Sequence, residues 1–212
     1  VSSIARDDGA LVGPSATINL PRAEASVPTS ISLLRHAEKQ IGSQLPHGVS
    51  ADGTPDPESL TPRGWQRAGA IVGLFVPRAG QADRSPLRTP AHLFACEIGP
   101  HSHSRRPIET LQPLSERLGQ AIGEPYLQDE LDGLVSAVLS CGGDVLVAWE
   151  HKRIPLIASR LVADPSSVPQ IWPDDRFDLI WVLDPVGERQ PAFRLRQVPQ
   201  LLLAGDRADP IV

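Results

Sequence analysis

The stretch Thr29-Ser30-Ile31-Ser32-Leu33-Leu34-Arg35-His36-Ala37-Glu38-Lys39 decides how this chain is read. Thr29–Leu34 is a short apolar run of strand length, and it reads as a buried β-strand. It ends abruptly in charge, at Arg35-His36-Ala37-Glu38-Lys39. The same switch recurs twice. Ala91–Cys96 reads as a strand that runs into the polar loop Glu97–Ser104 and then Arg106. Val145–Trp149 reads as a third strand, ending at Glu150-His151-Lys152. In an open α/β sheet, ligands bind at the carboxyl ends of strands. Parallel neighbours of this kind would bring Arg35, His36, Arg106 and His151 to one pocket.

Between the strands lie helix signals. Thr61 and Pro62 suit a helix cap and first turn, and Gly64–Phe75 continues with apolar residues at helical spacing. Further helices are expected from about Arg106 to Leu118, over Glu130–Leu139, and from Ile154 to Val162. Asp178–Leu183 and Phe193–Val198 read as two final strands, candidate neighbours in the sheet. Short apolar strands alternating with helices predict a three-layer α/β/α sandwich with a mostly parallel central sheet. One domain is expected over residues 29–212, preceded by a flexible arm over residues 1–28 that is rich in Ser, Ala, Asp and Pro. Residues 40–59 read as a long surface loop. That loop and the arm are the candidates for substrate selection, because no large insertion supplies a lid.

Composition narrows the class. The chain of 212 residues carries a net charge of −5 and a pI near 5.7. Sequence-independent nucleic-acid binding needs a basic face that displaces counterions, so nucleic acid is not expected as a partner. No apolar run approaches a membrane span. The chain begins with Val and contains no Met. Compartment therefore stays open, with the cytoplasm as the first expectation and export as the alternative. Cys96 and Cys141 are too few for a disulfide framework and read as small buried hydrophobes. His101 and His103 have no further ligand spacing nearby and read as surface loop, so neither a metal nor another cofactor is expected. Trp149, Trp172, Trp181 and Trp65 are expected in packing roles.

Residue types then point to chemistry. Groups able to be cationic, gathered in a small volume, require an anion, and a dianionic phosphate meets that demand. A neutral imidazole is a good nucleophile near physiological pH. Phosphoryl transfer otherwise needs positioning and cationic stabilisation, which the planar fork of arginine supplies. A leaving alkoxide needs a proton, which a nearby carboxylic acid can provide. Arg106 at a helix N-terminus is an odd place for a cation unless a local anion is present. Lys39 and Lys152 read as rim charges that attract such a substrate.

Four motifs carry a resemblance. Leu34-Arg35-His36-Ala37-Glu38 resembles the Arg-His-Gly signature of the histidine phosphatase superfamily, the phosphoglycerate mutase-like family. Leu60–Ala68 resembles its Leu-Thr-x-x-Gly-x-x-Arg-Ala helix start. Ser102–Thr110, followed by Gln112-Pro113-Leu114, resembles its Ser-x-x-x-Arg-x-x-x-Thr segment. Val145–His151 resembles the strand that delivers a second histidine. The motifs stand in the family's order between about residues 29 and 165. Trp172–Asp178 and Pro199–Asp206 are similar to a small branch of bacterial and fungal members.

The resemblance implies a phosphoglycerate mutase-like fold and a metal-independent phosphomonoester hydrolase acting on a small phosphorylated substrate. It implies that His36 forms a phosphohistidine, that Arg35 and Arg106 hold the phosphate oxygens, and that His151 stabilises the transferring group. There are two departures: Ala37 replaces the signature glycine, and Lys152 stands where one branch has an acid after the second histidine. For the proton donor, Glu130 is the best match, with Asp129 and Asp132 as competitors. A phosphomutase using the same histidine and a non-catalytic phospho-ligand-binding protein are the alternatives.

Overall fold

The computed structural model describes residues 27–76, 86–100, 102–187 and 192–212. The chain runs β1 (Pro28–Arg35), α1 (Pro62–Phe75), β2 (His92–Ala95), α2 (Arg106–Leu118), β3 (Ile122–Gly123), α3 (Leu131–Ser140), β4 (Gly143–Trp149), α4 (Ile154–Leu161), β5 (Leu179–Val186) and β6 (Ala192–Pro199). The six strands form one sheet in the order β3-β2-β4-β1-β5-β6. β3, β2, β4 and β1 pair in parallel, whereas β5 runs antiparallel to both β1 and β6. The two final strands are therefore neighbours, joined as an antiparallel edge to a parallel centre. The expected arm lies outside the described residues, apart from Val27 and Pro28, and β1 already begins at Pro28.

Helices cover both faces, as the three-layer expectation requires. Ile31 and Leu33 of β1 pack with Val145, Val147 and Trp149 of β4 beneath α3 and α4. Leu34 packs with Leu146 and Ala148 beneath α1 and α2, against Ile71, Phe75, Leu111 and Leu114. Alternate strand residues point to opposite faces. Because both faces are covered, β1 and β4 are buried on both sides rather than alternating, and even Ser30 and Ser32 of β1 are buried.

Local chemistry sets the helix starts. The Thr61 side chain accepts a hydrogen bond from the Gly64 N–H (3.2 Å), with Pro62 at the first helical position. α2 ends at Gly119, which adopts φ 65° and so closes the helix in the left-handed region. Trp149, Trp172 and Trp181 are buried, and the rings of Trp172 and Trp181 lie 4.9 Å apart. Trp65 packs on Ala37, Leu60 and Ala68, which accommodate the extra methyl of Ala37. Strand β3 is two residues long, too short for any periodic signal to announce it.

The loop at residues 40–59 is tightly hydrogen-bonded near its end. Val49 N–H donates to Leu60 O (2.8 Å), and Trp65 Nε1 donates to Val49 O (2.7 Å). Asp56 accepts from the Glu58 N–H (2.9 Å) and the Ser59 hydroxyl (2.9 Å). Buried Glu109 of α2 then accepts from Ser59 Oγ (2.6 Å) and Leu60 N (2.8 Å). These bonds offset the burial that raises the Glu109 pKa, and they fix residues 57–60 against α2.

Candidate active site

The parallel strands deliver their charged ends to one edge of the sheet. Arg35 pairs in register with Trp149, and Ala95 with Ala148. The His36 N–H extends the β1–β4 ladder by donating to Trp149 O (3.2 Å). His36, Glu150 and Arg106 therefore meet beside the carboxyl ends of β1, β4 and β2. They line a cleft of about 500 Å³ together with Lys39, Glu58, Lys152 and Arg153. This cationic lining stands out on a protein whose net charge is −5.

Strand alternation divides the four basic residues into two pairs. Arg35 follows Ile31 and Leu33 on the α3/α4 side, as His151 follows Val147 and Trp149. His36 falls on the side of Leu34 and α2, with Arg106. His36 and Arg106 line the cleft, while Arg35 and His151 are buried beside it. The single shared volume expected from the sequence is thus a cleft with a buried flank.

His36 is 4% exposed. Its Nδ1 lies 2.8 Å from the carbonyl oxygen of its own neighbour Ala37. That contact places the ring proton on Nδ1 and leaves the Nε2 lone pair for chemistry. Burial pushes the His36 pKa well below its ordinary value, and Arg35, Arg106 and Lys39 push it further in the same direction. The neutral imidazole is therefore favoured. We expect ring-nitrogen NMR at pH 6 to show His36 neutral and protonated on Nδ1. An imidazolium signal at that pH would contradict this geometry.

Arg35 is 1% exposed. Nη1 donates to the carbonyls of Asp174 (2.7 Å), Pro173 (3.2 Å) and Arg176 (3.2 Å), and the guanidinium lies 3.8 Å over the Phe177 ring. Burial lowers its pKa to about 10, a cost that Asp174, Glu150, Asp175 and Glu38 partly offset. Among the described residues, Nε and Nη2 have no hydrogen-bond partner. Buried unpaired donors cost free energy, and an anion arriving at this edge would supply acceptors.

Arg106 sits at the first position of α2. Nε donates to Ser59 O (3.3 Å), Nη1 to Ser104 Oγ (3.1 Å) and Nη2 to Pro57 O. Thr110, one turn on, donates to Arg106 O (2.6 Å) and accepts from the Ala37 N–H (2.8 Å). This buried hydroxyl ties the start of α2 to the loop that carries His36, which explains the Arg-x-x-x-Thr spacing.

His151 is held between two carboxylates. Nε2 lies 2.5 Å from Asp174 Oδ1, and Nδ1 lies 2.9 Å from Glu150 Oε1. The contact with His151 holds the Asp174 carboxyl below its usual range. Burial raises Glu150, but the close contact with His151 and the hydrogen bond from the Lys152 N–H outweigh it and leave a net lowering. Asp174 is the site residue that sequence reasoning missed. It arrives from a loop after α4, and only the folded chain brings it to His151.

The carboxylates expected as proton donors are elsewhere. Glu130 is exposed at the start of α3, where its Oε2 accepts from the Leu127 N–H (2.9 Å). Asp129 pairs with Arg153 (2.6 Å), and Asp132 pairs with Arg160 (2.8 Å). None of the three lines the cleft. Local ion pairs and a helix start account for them. Cys96 reaches the cleft wall, but burial pushes its thiol up to about 12, so it remains protonated. Both cysteines are free. His101 lies outside the described residues. Among the described residues, no group of three or more His, Cys, Asp and Glu side chains is placed to hold a metal ion. No described helix is long and apolar enough to cross a membrane.

No family model and no curated protein matches the chain. Among solved structures, similarity is found to a candidate phosphohistidine phosphatase SixA from Nakamurella multipartitia, at 22% identity and a TM-score of 0.47, covering 79% of this chain and 92% of that one. A second candidate SixA, from Agrobacterium tumefaciens, is 16% identical with a TM-score of 0.42, covering 79% and 96%. A candidate alpha-ribazole-5'-P phosphatase from Escherichia coli is 12% identical with a TM-score of 0.49, covering 79% and 95%.

A close approach holds the loop after β1 in place. A Cβ on Gly64 would lie 2.5 Å from Glu38 O and 3.1 Å from both Glu38 N and Leu60 Cβ. Gly64→Ala must therefore push the Ala37–Glu38 segment away from α1. Overpacking of this kind costs about 1–3 kcal/mol. We expect a lower melting temperature and a fall of about tenfold or more in kcat/KM, since small misplacements of reacting groups are costly. Wild-type kinetics in this variant would show that the loop tolerates the shift.

Proposed function

We propose that this protein is a phosphomonoester hydrolase that works without a metal, through a phosphohistidine on His36. The observation that carries the reading is the state of His36: a buried ring, favoured neutral, with Nδ1 against Ala37 O, in a cleft lined by Arg106 and Lys39. His36 Nε2 attacks phosphorus, and the P–O ester bond breaks. Arg106 and Arg35 neutralise the phosphoryl oxygens, as transition-state charge stabilisation demands. For Arg35, the two unpaired buried donors support this role. His151, oriented by Glu150 and Asp174, stabilises the transferring group from the buried flank of the cleft. Water then cleaves the P–N bond and releases inorganic phosphate. The substrate is a small phosphate monoester.

The test is to trap the intermediate. Enzyme mixed with 32P-labelled substrate in the presence of chelator and quenched in base should carry acid-labile, base-stable label on His36. Label on another residue, or none during active turnover, would overturn the reading. Release of phosphate to water, rather than its return to an acceptor, separates the hydrolase from a mutase.

A further inference from the structure

With Glu130, Asp129 and Asp132 out of the cleft, the proposed hydrolysis lacks its acid. We infer that Glu58 is the catalytic proton donor. The inference rests on the phosphohistidine reading of the same site.

Two carboxylates line the cleft with His36, namely Glu58 and Glu150. Glu150 is committed: Oε1 faces His151 Nδ1, and Oε2 accepts from the Lys152 N–H (3.0 Å). Both contacts favour its ionised form, which suits a positioning residue and not an acid. Asp174, beside His151, is likewise held ionised by its contact with that ring. Glu58 differs. Its carboxylate has no hydrogen bond among the described residues, and its ion pair with Arg106 Nη2 is at 3.6 Å. Its side chain is 44% exposed, so it can exchange protons with water.

Its backbone is well placed. The flanking carbonyls of Pro57 and Ser59 both accept from Arg106, and Glu58 O accepts from the Arg105 N–H (3.1 Å). The acid is thereby carried on the same unit that grips the phosphate. When a dianionic phosphoryl group reaches Arg106, it draws the guanidinium charge and adds negative charge near Glu58.

The steps balance. His36 Nε2 forms the P–N bond as the P–O ester bond breaks, its electron pair passing to the leaving oxygen. That oxygen takes the Glu58 proton and departs as an alcohol. The Glu58 carboxylate then takes a proton from the attacking water as its oxygen bonds phosphorus. The P–N pair returns to Nε2, phosphate leaves, and Glu58 is protonated again.

The experiment compares leaving groups. Wild type, Glu58→Gln and Glu150→Gln are each assayed with an alkyl phosphate and with p-nitrophenyl phosphate, whose leaving group needs little protonation. For Glu58→Gln we expect kcat/KM to fall by about 10²–10³ with the alkyl phosphate and by less than tenfold with p-nitrophenyl phosphate. The basic limb of the pH profile with the alkyl phosphate should also vanish. Phosphoenzyme trapping from p-nitrophenyl phosphate shows that the variant is folded and that His36 reacts. Equal losses on both substrates, or the leaving-group signature in Glu150→Gln instead, would overturn the assignment of Glu58 while leaving the phosphohistidine intact. Absence of phosphoenzyme in the wild type would overturn the underlying reading.

Discussion

His36→Ala should lower phosphate release by at least about 10⁴-fold, equivalent to about 5.5 kcal/mol of transition-state stabilisation. The loss should be the same with and without chelator. His36 is the buried ring favoured neutral in the cleft, and Nδ1 against Ala37 O leaves Nε2 to act. Residual turnover would come from Arg106 and Lys39 polarising the substrate for direct attack by water. The variant should stay folded, because the backbone bonds that hold the loop, His36 N to Trp149 O and Ala37 N to Thr110 Oγ1, do not involve the imidazole. Measurement is by phosphate release in parallel with the melting temperature. Activity within tenfold of wild type would mean that another group is the nucleophile.

Arg67→Ala should be the most destabilising single change near the site, by about 3–5 kcal/mol. Arg67 is 2% exposed, and its guanidinium is enclosed by acceptors. Nε and Nη2 donate to Glu38 (2.8–3.1 Å), Nη1 and Nη2 to Asp206 (3.0 and 2.7 Å), and Nη1 also to Gln200 (2.9 Å). The Asp206 side chain is 3% exposed and that of Glu38 is 12% exposed. Truncation removes the buried cation between these two carboxylates and leaves them only the half-exposed Arg63, 3.1 Å from Glu38 and 3.9 Å from Asp206. For a domain of this size the melting temperature should fall by roughly 6–20 °C. Arg67→Lys should not restore stability, since an ammonium cannot bridge both acids in one plane. A fall of less than 1 kcal/mol would show that water enters and solvates the pair.

The same network sets an acid limit. Burial raises the Asp206 pKa, but hydrogen bonds from Arg67 and from the Leu203 and Leu202 N–H groups outweigh it and hold the carboxyl at about 2. The folded value lies below the unfolded one. This contribution to stability, about 2 kcal/mol, is therefore fully present above pH 4 and lost as pH falls toward 2. Unfolding by denaturant across pH 5 to 2 should show this loss in the wild type and a shallower one in Asp206→Asn.

Much of this was legible in the residues. Apolar runs of strand length, Thr61-Pro62 and the Gly142-Gly143 boundary marked elements that the structure places within one to three residues, because caps and hydrophobic period are local properties. His36 and Arg106 were readable as cleft residues because each directly follows a strand or opens a helix. The antiparallel direction of β5 and β6 and the existence of β3 were not readable, since pairing depends on partners distant in the chain.

The acid shows the limit most clearly. Glu130 stands at an apt place in the order of motifs, yet the turn before α3 uses its carboxylate to cap Leu127. Asp174 and Glu58 reach the site from loops 138 and 22 residues away from His36, through contacts with His151 and Arg106 that no local pattern encodes. The sequence by itself determined the layered α/β architecture and the basic residues that stand at the strand ends, because hydrophobic period and strand ends are written in consecutive residues. Only the tertiary structure decided which side of the sheet each cation takes and which carboxylates face the cleft. Those outcomes depend on strand alternation combined with long-range packing, and on which of several nearby acids is already consumed by an ion pair.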